Sequence, residues 1–567
     1  MRKAIKQIRD LLGRIYGAQG GALAWQRIAP LIENFPARKR SKKAYFTEKD
    51  AVLITYGDTL RAPGELPLTT FRRFAVRYLK GLFSTIHFLP FFPYSSDDGF
   101  AVIDFFNIDP HLGTWHQIAE INQDFDLMID YVVNHFSAKS QWLTNYLADR
   151  TGFEEFAIAV DPATNLSMVA RPRALPLLTP FLKPNGQSVH LWTTFSADQI
   201  DFNYKSLAVL EKMIDILLYY VSRGATILRL DAIAYLWKEI GTDCLHRPET
   251  HLMVKLFRAI LDLLAPDVIL LTETNVPHHE NIRYFGNGND EAQMVYNFTL
   301  PPLLYHSFLK QDATALSEWA RGLPLASASN AFFNFSASHD GIGMRPLEGI
   351  LPASEQRALV AAAQACGGEV SYKRNPDGSQ SPYELNITFV DAIIGNETAA
   401  KAQKFLASQA IQYALPGVPG TYIHSLLGSC NWRAGVKSSG RARTINRQKL
   451  QVQTLVSELK DPGSFRARVL NGYRHLVKIR CQQAAFHPKA GFEILNLDPG
   501  VFAIRRFAGP QVIHALTNVT ARTIPLGPTC LAEQGELRDL LTGQRYTPDS
   551  LVLAPFEYLW LSPGCDA

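Results

Sequence analysis

The sequence predicts an α/β fold: a (β/α)8 TIM barrel with an inserted subdomain after strand 3 and a C-terminal β domain. Three observations predict it. Eight short runs of β-branched and aromatic residues recur along the 567 residues, stretches of helical periodicity lie between them, and ionisable residues collect where several runs end. Near-continuous apolar strands alternating with helices imply a parallel sheet buried on both faces.

In chain order, residues 1–45 read as helical and basic, with their densest charge at Arg38, Lys39, Arg40, Lys42 and Lys43. The barrel is expected over 46–485. Its strands are AVLITYG at 51–57, TIHFLPF at 85–91, DLMIDYVVNH at 126–135, ATILRLDAI at 225–233, DVILLTETN at 267–275, QMVYNF at 293–298, NAFFNFSASHD at 330–340 and GVPGTYIHSLLG at 417–428. Leu210, Met213, Ile214, Leu217 and Val221 share one helical face, and Gly224 stops that helix before the fourth strand. A second helix at 251–265 runs into Pro266 ahead of the fifth strand. The stretch of about 137–205 is far longer than one helix needs, and its proline-rich RPRALPLLTPFLKPNG reads as an inserted subdomain over the barrel mouth. Another excursion, about 367–384, carries Asn-Pro-Asp-Gly, a turn in an exposed loop. After a closing helix near 465–483, residues 486–567 hold FEILNL, VFAIRRFAG, QVIHALTNVT and SLVLAPFEYLWLS, short strands that predict a β-sandwich-like domain.

Composition excludes several classes of function. The net charge is only +5 and no long basic block occurs, which argues against nucleic acid or an anionic membrane as partner. Charges interrupt the N-terminal segment and no run reaches about 18 apolar residues, so neither a signal peptide nor a membrane span is expected. The six cysteines, Cys244, Cys366, Cys430, Cys481, Cys530 and Cys565, form no C-x-x-C pair, which predicts a reduced cytoplasmic protein without a metal site. Aromatic content of 11%, with 33 Phe and 21 Tyr, is the one compositional hint of a flat hydroxylated ligand such as a sugar.

In a barrel of this kind the chemistry sits at the C-terminal strand ends. The third strand ends Asp130-Tyr-Val-Val-Asn134-His135, the fourth Arg229-Leu-Asp231, the fifth Glu273-Thr-Asn275 and the seventh His339-Asp340. Asp231 and Glu273 come from neighbouring strands and can act as a pair. One attacks an anomeric carbon while the other, its pKa raised, protonates the leaving oxygen; a separation of roughly 5 Å gives retention. Arg229 lies two residues before Asp231 on the same strand face, where it keeps that carboxylate ionised.

The segments DYVVNH, GATILRLDAI, LTETN and ASHDGIG resemble, in order and spacing, the four short regions of the α-amylase superfamily of retaining α-glucoside-active enzymes. That resemblance implies Asp231 as nucleophile, Glu273 as general acid/base and Asp340 as transition-state stabiliser, with Arg229, His135 and His339 lining the glucose subsite. From residue 51 onward the chain is most similar to the sucrose phosphorylase group, through LITYGD, HFLPFFPYSSDDGF, LWTTFSADQIDFN, NFTLPPLLYHSF, LPGVPGTYI and RTINR. Those matches imply that Asp97, or its neighbour Asp98, and Phe100 cap the glucose site. They likewise imply that Phe195 and Gln199 shape it, Arg443 binds glucose hydroxyls and Arg173 meets phosphate or acceptor.

The segments LTETNVPHHENIRYFGNGNDEAQMVYNF, DAIAYLWK, HDGIGMRP and RPRALPLL resemble the glucosylglycerate phosphorylases within that group. The implied reaction converts 2-O-α-D-glucosyl-D-glycerate and inorganic phosphate into α-D-glucose 1-phosphate and D-glycerate. A small carboxylate acceptor needs a cationic pocket, which Arg173 with Lys373 or Arg374 can supply. Sucrose phosphorylase, sucrose 6'-phosphate phosphorylase, glucosylglycerol phosphorylase and α-glucosidase or transglucosidase remain the alternatives. The resemblance implies no cofactor and no metal, and leaves a homodimer open as the assembly.

Overall fold

The computed structural model describes residues 2–563 except 40, 42, 43, 325, 326, 328, 376, 396–399, 528–530 and 532–534. Arg40, Lys42, Lys43, Pro376, Cys530 and Cys565 therefore lie outside the described residues.

Eight parallel strands close into one barrel: β1 (Val52–Thr55), β2 (Thr85–Phe88), β3 (Asp126–Val132), β4 (Ala225–Asp231), β5 (Ile269–Thr272), β6 (Met294–Tyr296), β7 (Ala331–Phe335) and β8 (Val418–Tyr422). Each pairs with its neighbours in sequence, and β8 closes on β1. These are the eight apolar runs of the sequence. Nearly every strand residue is buried because helices cover the outside and side chains fill the inside.

A helical segment at residues 2–34 (α1, Arg2–Asn34) opens the chain, folded back on itself at Gly17, whose φ of 75° and ψ of 174° are open only to glycine. The two arms meet at Gly13 and Gly21, where an added Cβ on Gly21 would lie 2.7 Å from the Gly13 backbone. Ile8, Leu12, Ala24 and Ile28 are buried, and α1 packs across α2 (Leu207–Ser222) and α3 (Pro248–Leu264) of the barrel wall. Tyr16 donates to the Tyr204 carbonyl at 2.9 Å and Arg38 to the Val221 carbonyl at 3.0 Å. The basic N-terminal segment is thus a brace on the barrel.

Between β3 and β4 the chain forms two antiparallel pairs, His135–Ser137 with Gln199–Asp201 and Leu178–Leu182 with Ser188–Trp192. The 367–384 excursion, expected as a loop, instead holds most of a hairpin of Glu369–Arg374 and Gln380–Asn386, with Ile342–Gly343 adding a third strand. Its alternating residues find ladder partners in the segment that follows Asp340, and that segment is remote in sequence.

The closing helix α4 (Phe465–Arg480) leads into a six-stranded antiparallel sheet. Its strands are β9 (Gly491–Ile494), β10 (Val501–Ala508), β11 (Gln511–Asn518), β12 (Leu537–Asp539), β13 (Arg545–Tyr546) and β14 (Tyr558–Pro563). One face, with Phe502, Ile504, Ile513 and Trp560, belongs to the same apolar core as the barrel, while Val501, Leu516, Leu559 and Leu561 form a smaller core behind it. No helix among the described residues is long and apolar enough to cross a membrane, and none of their His, Cys, Asp and Glu side chains group in threes that could hold a metal ion.

Candidate active site

Register brings the ionisable strand ends together. Asp130 on β3 lies opposite Arg229 on β4, Val132 opposite Asp231, and Arg229 opposite Leu271 on β5, two residues before Glu273. Arg229 is almost fully buried and its Nη1 donates to Asp231 Oδ1 at 2.7 Å and to Asp130 Oδ1; its Nη2 lies 3.9 Å from Glu273 Oε2. Behind it, Asp130 is 2.7 Å from His87 Nε2 on β2. Tyr296 and Phe100 flank the guanidinium with ring centroids at 5.5 and 5.6 Å. Arg229 is thereby fixed among neighbouring barrel strands and presents its charge to Asp130, Asp231 and Glu273.

The main chain turns sharply after Asp231: Ala232 has φ 49°, a left-handed conformation uncommon for alanine, and its N–H donates to Glu273 Oε2 at 2.9 Å. Burial pushes the Asp231 and Glu273 carboxyls up to about 7 against the pull of Arg229; the negative charges of Asp130 and Asp340 add to the rise at Asp231, and those of Asp231 and Asp340 add to it at Glu273. Such a pair shares one proton near neutrality. The direct Arg229 bond on Asp231, against 3.9 Å on Glu273, places that proton on Glu273. The arrangement thus supplies one ionised and one protonated carboxyl side by side.

Asp340 faces them from the end of β7. Burial raises its pKa, but Arg443, Arg447, Arg229 and Arg173 outweigh burial and keep it below the usual carboxylate range. Arg443 Nη1 is 2.9 Å from Asp340 Oδ1, and Arg443 also clasps Glu384 with Nε and Nη2 at 3.0 and 2.6 Å. Arg447 donates to the His339 carbonyl at 3.0 Å and to Asp98 at 2.7 Å, and lies 3.4 Å from Asp97. His339 stacks on Phe100 at 4.7 Å, and Gln199 Nε2 lies 3.1 Å from His135 Nε2, which is 3.0 Å from the Phe100 carbonyl. Burial keeps both imidazoles neutral, pushing His135 down to about 4 and, with help from the Arg447 and Arg229 charges, His339 well below the usual histidine range. Beneath His135, Asn134 and Asp201 hold the buried Lys238 ammonium at 2.7 and 2.6 Å.

Asp97, Phe100, His135, Arg173, Phe195, Gln199, Asp231, Glu273, His339, Asp340 and Arg443 line one pocket of about 60 Å³, with Arg229 under its floor. Arg374 does not join them. It lines an outer cavity of about 430 Å³ with Lys373, Arg171 and Arg345, and Tyr383 forms wall to both spaces. Asp97 lines the pocket whereas Asp98 is turned to Arg447.

A model of the α-amylase catalytic domain matches residues 75–340. A glucosylglycerate phosphorylase from Allomeiothermus silvanus is 47% identical, with 98% of each chain covered, and one from Spirochaeta thermophila is 45% identical, with 99% of each covered. The chain belongs to the glucosylglycerate phosphorylase branch of the α-amylase family. The crystal structure of a sucrose 6F-phosphate phosphorylase from Thermoanaerobacter thermosaccharolyticum superposes on this α-amylase-family fold with a TM-score of 0.73, at 24% identity, covering 83% of this chain and 94% of that one.

Four pocket residues of this family member were not singled out as site residues by sequence: Ala232, Asn275, Tyr383 and Glu384. Asn275 follows Glu273 at a strand end, so its position was visible. Arg447 stands in the RTINR segment four residues after Arg443, and that repeat of cations was the available signal. Tyr383 and Glu384 had none, because a hairpin strand delivers them to the barrel mouth.

Proposed function

We propose that the protein is a retaining phosphorylase that converts 2-O-α-D-glucosyl-D-glycerate and inorganic phosphate into α-D-glucose 1-phosphate and D-glycerate. One observation carries the reading: Asp231, Glu273 and Asp340 converge on a pocket that shares its Tyr383 wall with a cavity lined by Arg171, Arg345, Lys373 and Arg374. The site therefore expects an uncharged sugar followed by an anion. The two relatives that bear this activity in their names support the acceptor.

Asp231, held ionised by Arg229, attacks C1 of the glucosyl unit as the bond to glycerate breaks, and Glu273 gives its proton to the departing oxygen. The product of this step is a β-glucosyl ester of Asp231. A phosphate oxygen then attacks C1 and passes its proton to Glu273, and Asp231 leaves as a carboxylate, so two inversions give net retention. Asp340, kept anionic by Arg443, binds sugar hydroxyls that carry growing positive character at the transition state. The neutral imidazoles of His135 and His339 exchange hydrogen bonds with hydroxyls, and Asp97 and Gln199 complete the polar wall. Phe100 and Phe195 supply apolar faces, and Arg173, its guanidinium 5.4 Å from the Tyr383 ring centre, meets phosphate. The narrow pocket favours phosphate over water by excluding bulk solvent. The thiols Cys244, Cys366, Cys430 and Cys481 are unpaired, as suits a reducing cytoplasm.

The test runs the reaction in reverse, with glucose 1-phosphate and D-glycerate, glycerol, fructose or fructose 6-phosphate as acceptor, measuring phosphate release. D-glycerate is expected to give the highest kcat/KM; a preference for fructose overturns the acceptor assignment. Glucose release from glucosylglycerate at equal rate in phosphate-free buffer overturns phosphorolysis.

A further inference from the structure

Arg345 lies five residues beyond Asp340, in a single helical turn, Arg345–Leu347, that Pro346 stiffens. Its side chain is only 14% exposed, yet the one carboxylate within 4 Å among the described residues is Glu348, at 4.0 Å from Nε. Glu348 Oε1 is itself bonded to Lys373 at 2.9 Å. The Arg345 Nε has no hydrogen-bond partner. A guanidinium so withdrawn from water costs free energy unless an anion reaches it. Arg345 lines the outer cavity between Tyr235 and Tyr383, where the described walls hold one carboxylate, Asp243, against four cations. Tyr235 shares a hydrogen bond with Arg345, and the Glu348 and Glu280 carboxylates lend it charge from the side away from the cavity, so the free Nε and the cationic lining leave Arg345 able to take an anion that arrives with the substrate.

Bond counting separates two anions at this place. Once phosphate is joined to C1, its free oxygens stand two bonds from the bridging oxygen, within the inner pocket whose wall includes Arg173, the cation proposed above to meet phosphate. In glucosylglycerate the carboxylate oxygens stand three bonds from the glycosidic oxygen, one bond further toward the outer cavity. We propose that Arg345 is the specificity-determining residue that binds the acceptor carboxylate, and that it selects D-glycerate over uncharged acceptors of similar size. This inference rests on the proposed reaction and adds the group that recognises its acceptor. A guanidinium takes a carboxylate in two parallel hydrogen bonds, which an ammonium cannot match.

The experiment compares wild type, Arg345→Gln and Arg345→Lys in synthesis from glucose 1-phosphate, with D-glycerate or glycerol as acceptor. Isotope exchange between inorganic phosphate and glucose 1-phosphate reads the glucosyl-transfer half-reaction without glycerate. Arg345→Gln is expected to raise the KM for D-glycerate at least about 30-fold, leaving glycerol turnover and the exchange rate within about threefold of wild type. Arg345→Lys should fall between them. An unchanged KM for D-glycerate overturns the assignment, as does a rise in the KM for phosphate as large as that for glycerate. Equal loss of all three activities in both variants, with an unchanged melting temperature, also overturns it, because that is the mark of a merely structural residue. Failure of the wild type itself to use D-glycerate overturns the function proposed above, so the two failures are told apart.

Discussion

Arg229 carries the chemistry of the site at the residue scale. One guanidinium bonds Asp231, bonds Asp130 and stands 3.9 Å from Glu273, so the protonation of the pair follows from distances to a single charge. In the proposed reaction Glu273 must hold a proton to release glycerate, and Asp231 must be without one to attack. Both carboxyls are pushed up to about 7, so raising the pH through that value strips Glu273, and lowering it adds a second proton to the pair. A bell-shaped kcat/KM profile for phosphorolysis follows. Glu273→Gln should abolish its alkaline limb and lower kcat/KM for glucosylglycerate by about 10²–10⁴-fold. Fluoride release from α-glucosyl fluoride, whose leaving group needs no proton, should stay within about tenfold of wild type. An equal loss on both substrates would contradict the acid role.

At the scale of elements, the hairpin of Glu369–Arg374 and Gln380–Asn386 couples three active-site groups that are distant in sequence. Ile342 pairs with Leu385 and Gly343 with Glu384, so the strand bearing Tyr383 and Glu384 lies directly on the segment that follows Asp340. Gly341 makes the approach possible, since a Cβ there would run into the Leu385 carbonyl and the Glu384 side chain. The obstacle includes backbone, which cannot swing aside as a flexible side chain does. Gly341→Ala should cost about 1–3 kcal/mol of stability, read from the urea midpoint. It should also lower kcat/KM up to about 10²-fold, because Glu384 positions Arg443 and Arg443 positions Asp340. Wild-type kinetics in this variant would show that the hairpin does not set the site.

At the scale of the whole molecule, the barrel, its N-terminal brace and the inner face of the C-terminal sheet share one apolar core. Two buried arginines tie the seams with hydrogen bonds to carbonyls. Arg480 reaches the carbonyls of Glu48, Gly417 and Phe486 at 2.9, 3.0 and 3.1 Å, and Arg506 those of Ala414 and His487 at 2.7 and 2.8 Å. A continuous core with such ties unfolds as a unit. Calorimetry should therefore give a single endotherm, and a chain cut after residue 486 should lose the barrel transition rather than keep it. Two separate endotherms, one surviving the truncation, would show the sheet to be an independent domain.

The sequence by itself determined the barrel and the residues that stand at its strand ends. Near-continuous apolar runs alternating with period-3.6 helices declare a parallel sheet locally, and Arg229, Asp231, Glu273 and Asp340 are placed simply by ending strands. The sequence also carried the branch of the family, through short segments spread over the chain. Tertiary structure alone decided what depends on long-range pairing. It folded α1 back at Gly17 and turned the expected loop into a hairpin. It put Tyr383 and Glu384 in the pocket, and it set Arg374 in the outer cavity with Arg345 beside it. The physical reason is that a strand end is fixed by its own neighbours in sequence. Which wall a hairpin or a cation joins is fixed by ladder partners and counter-charges far along the chain, and no local periodicity records them.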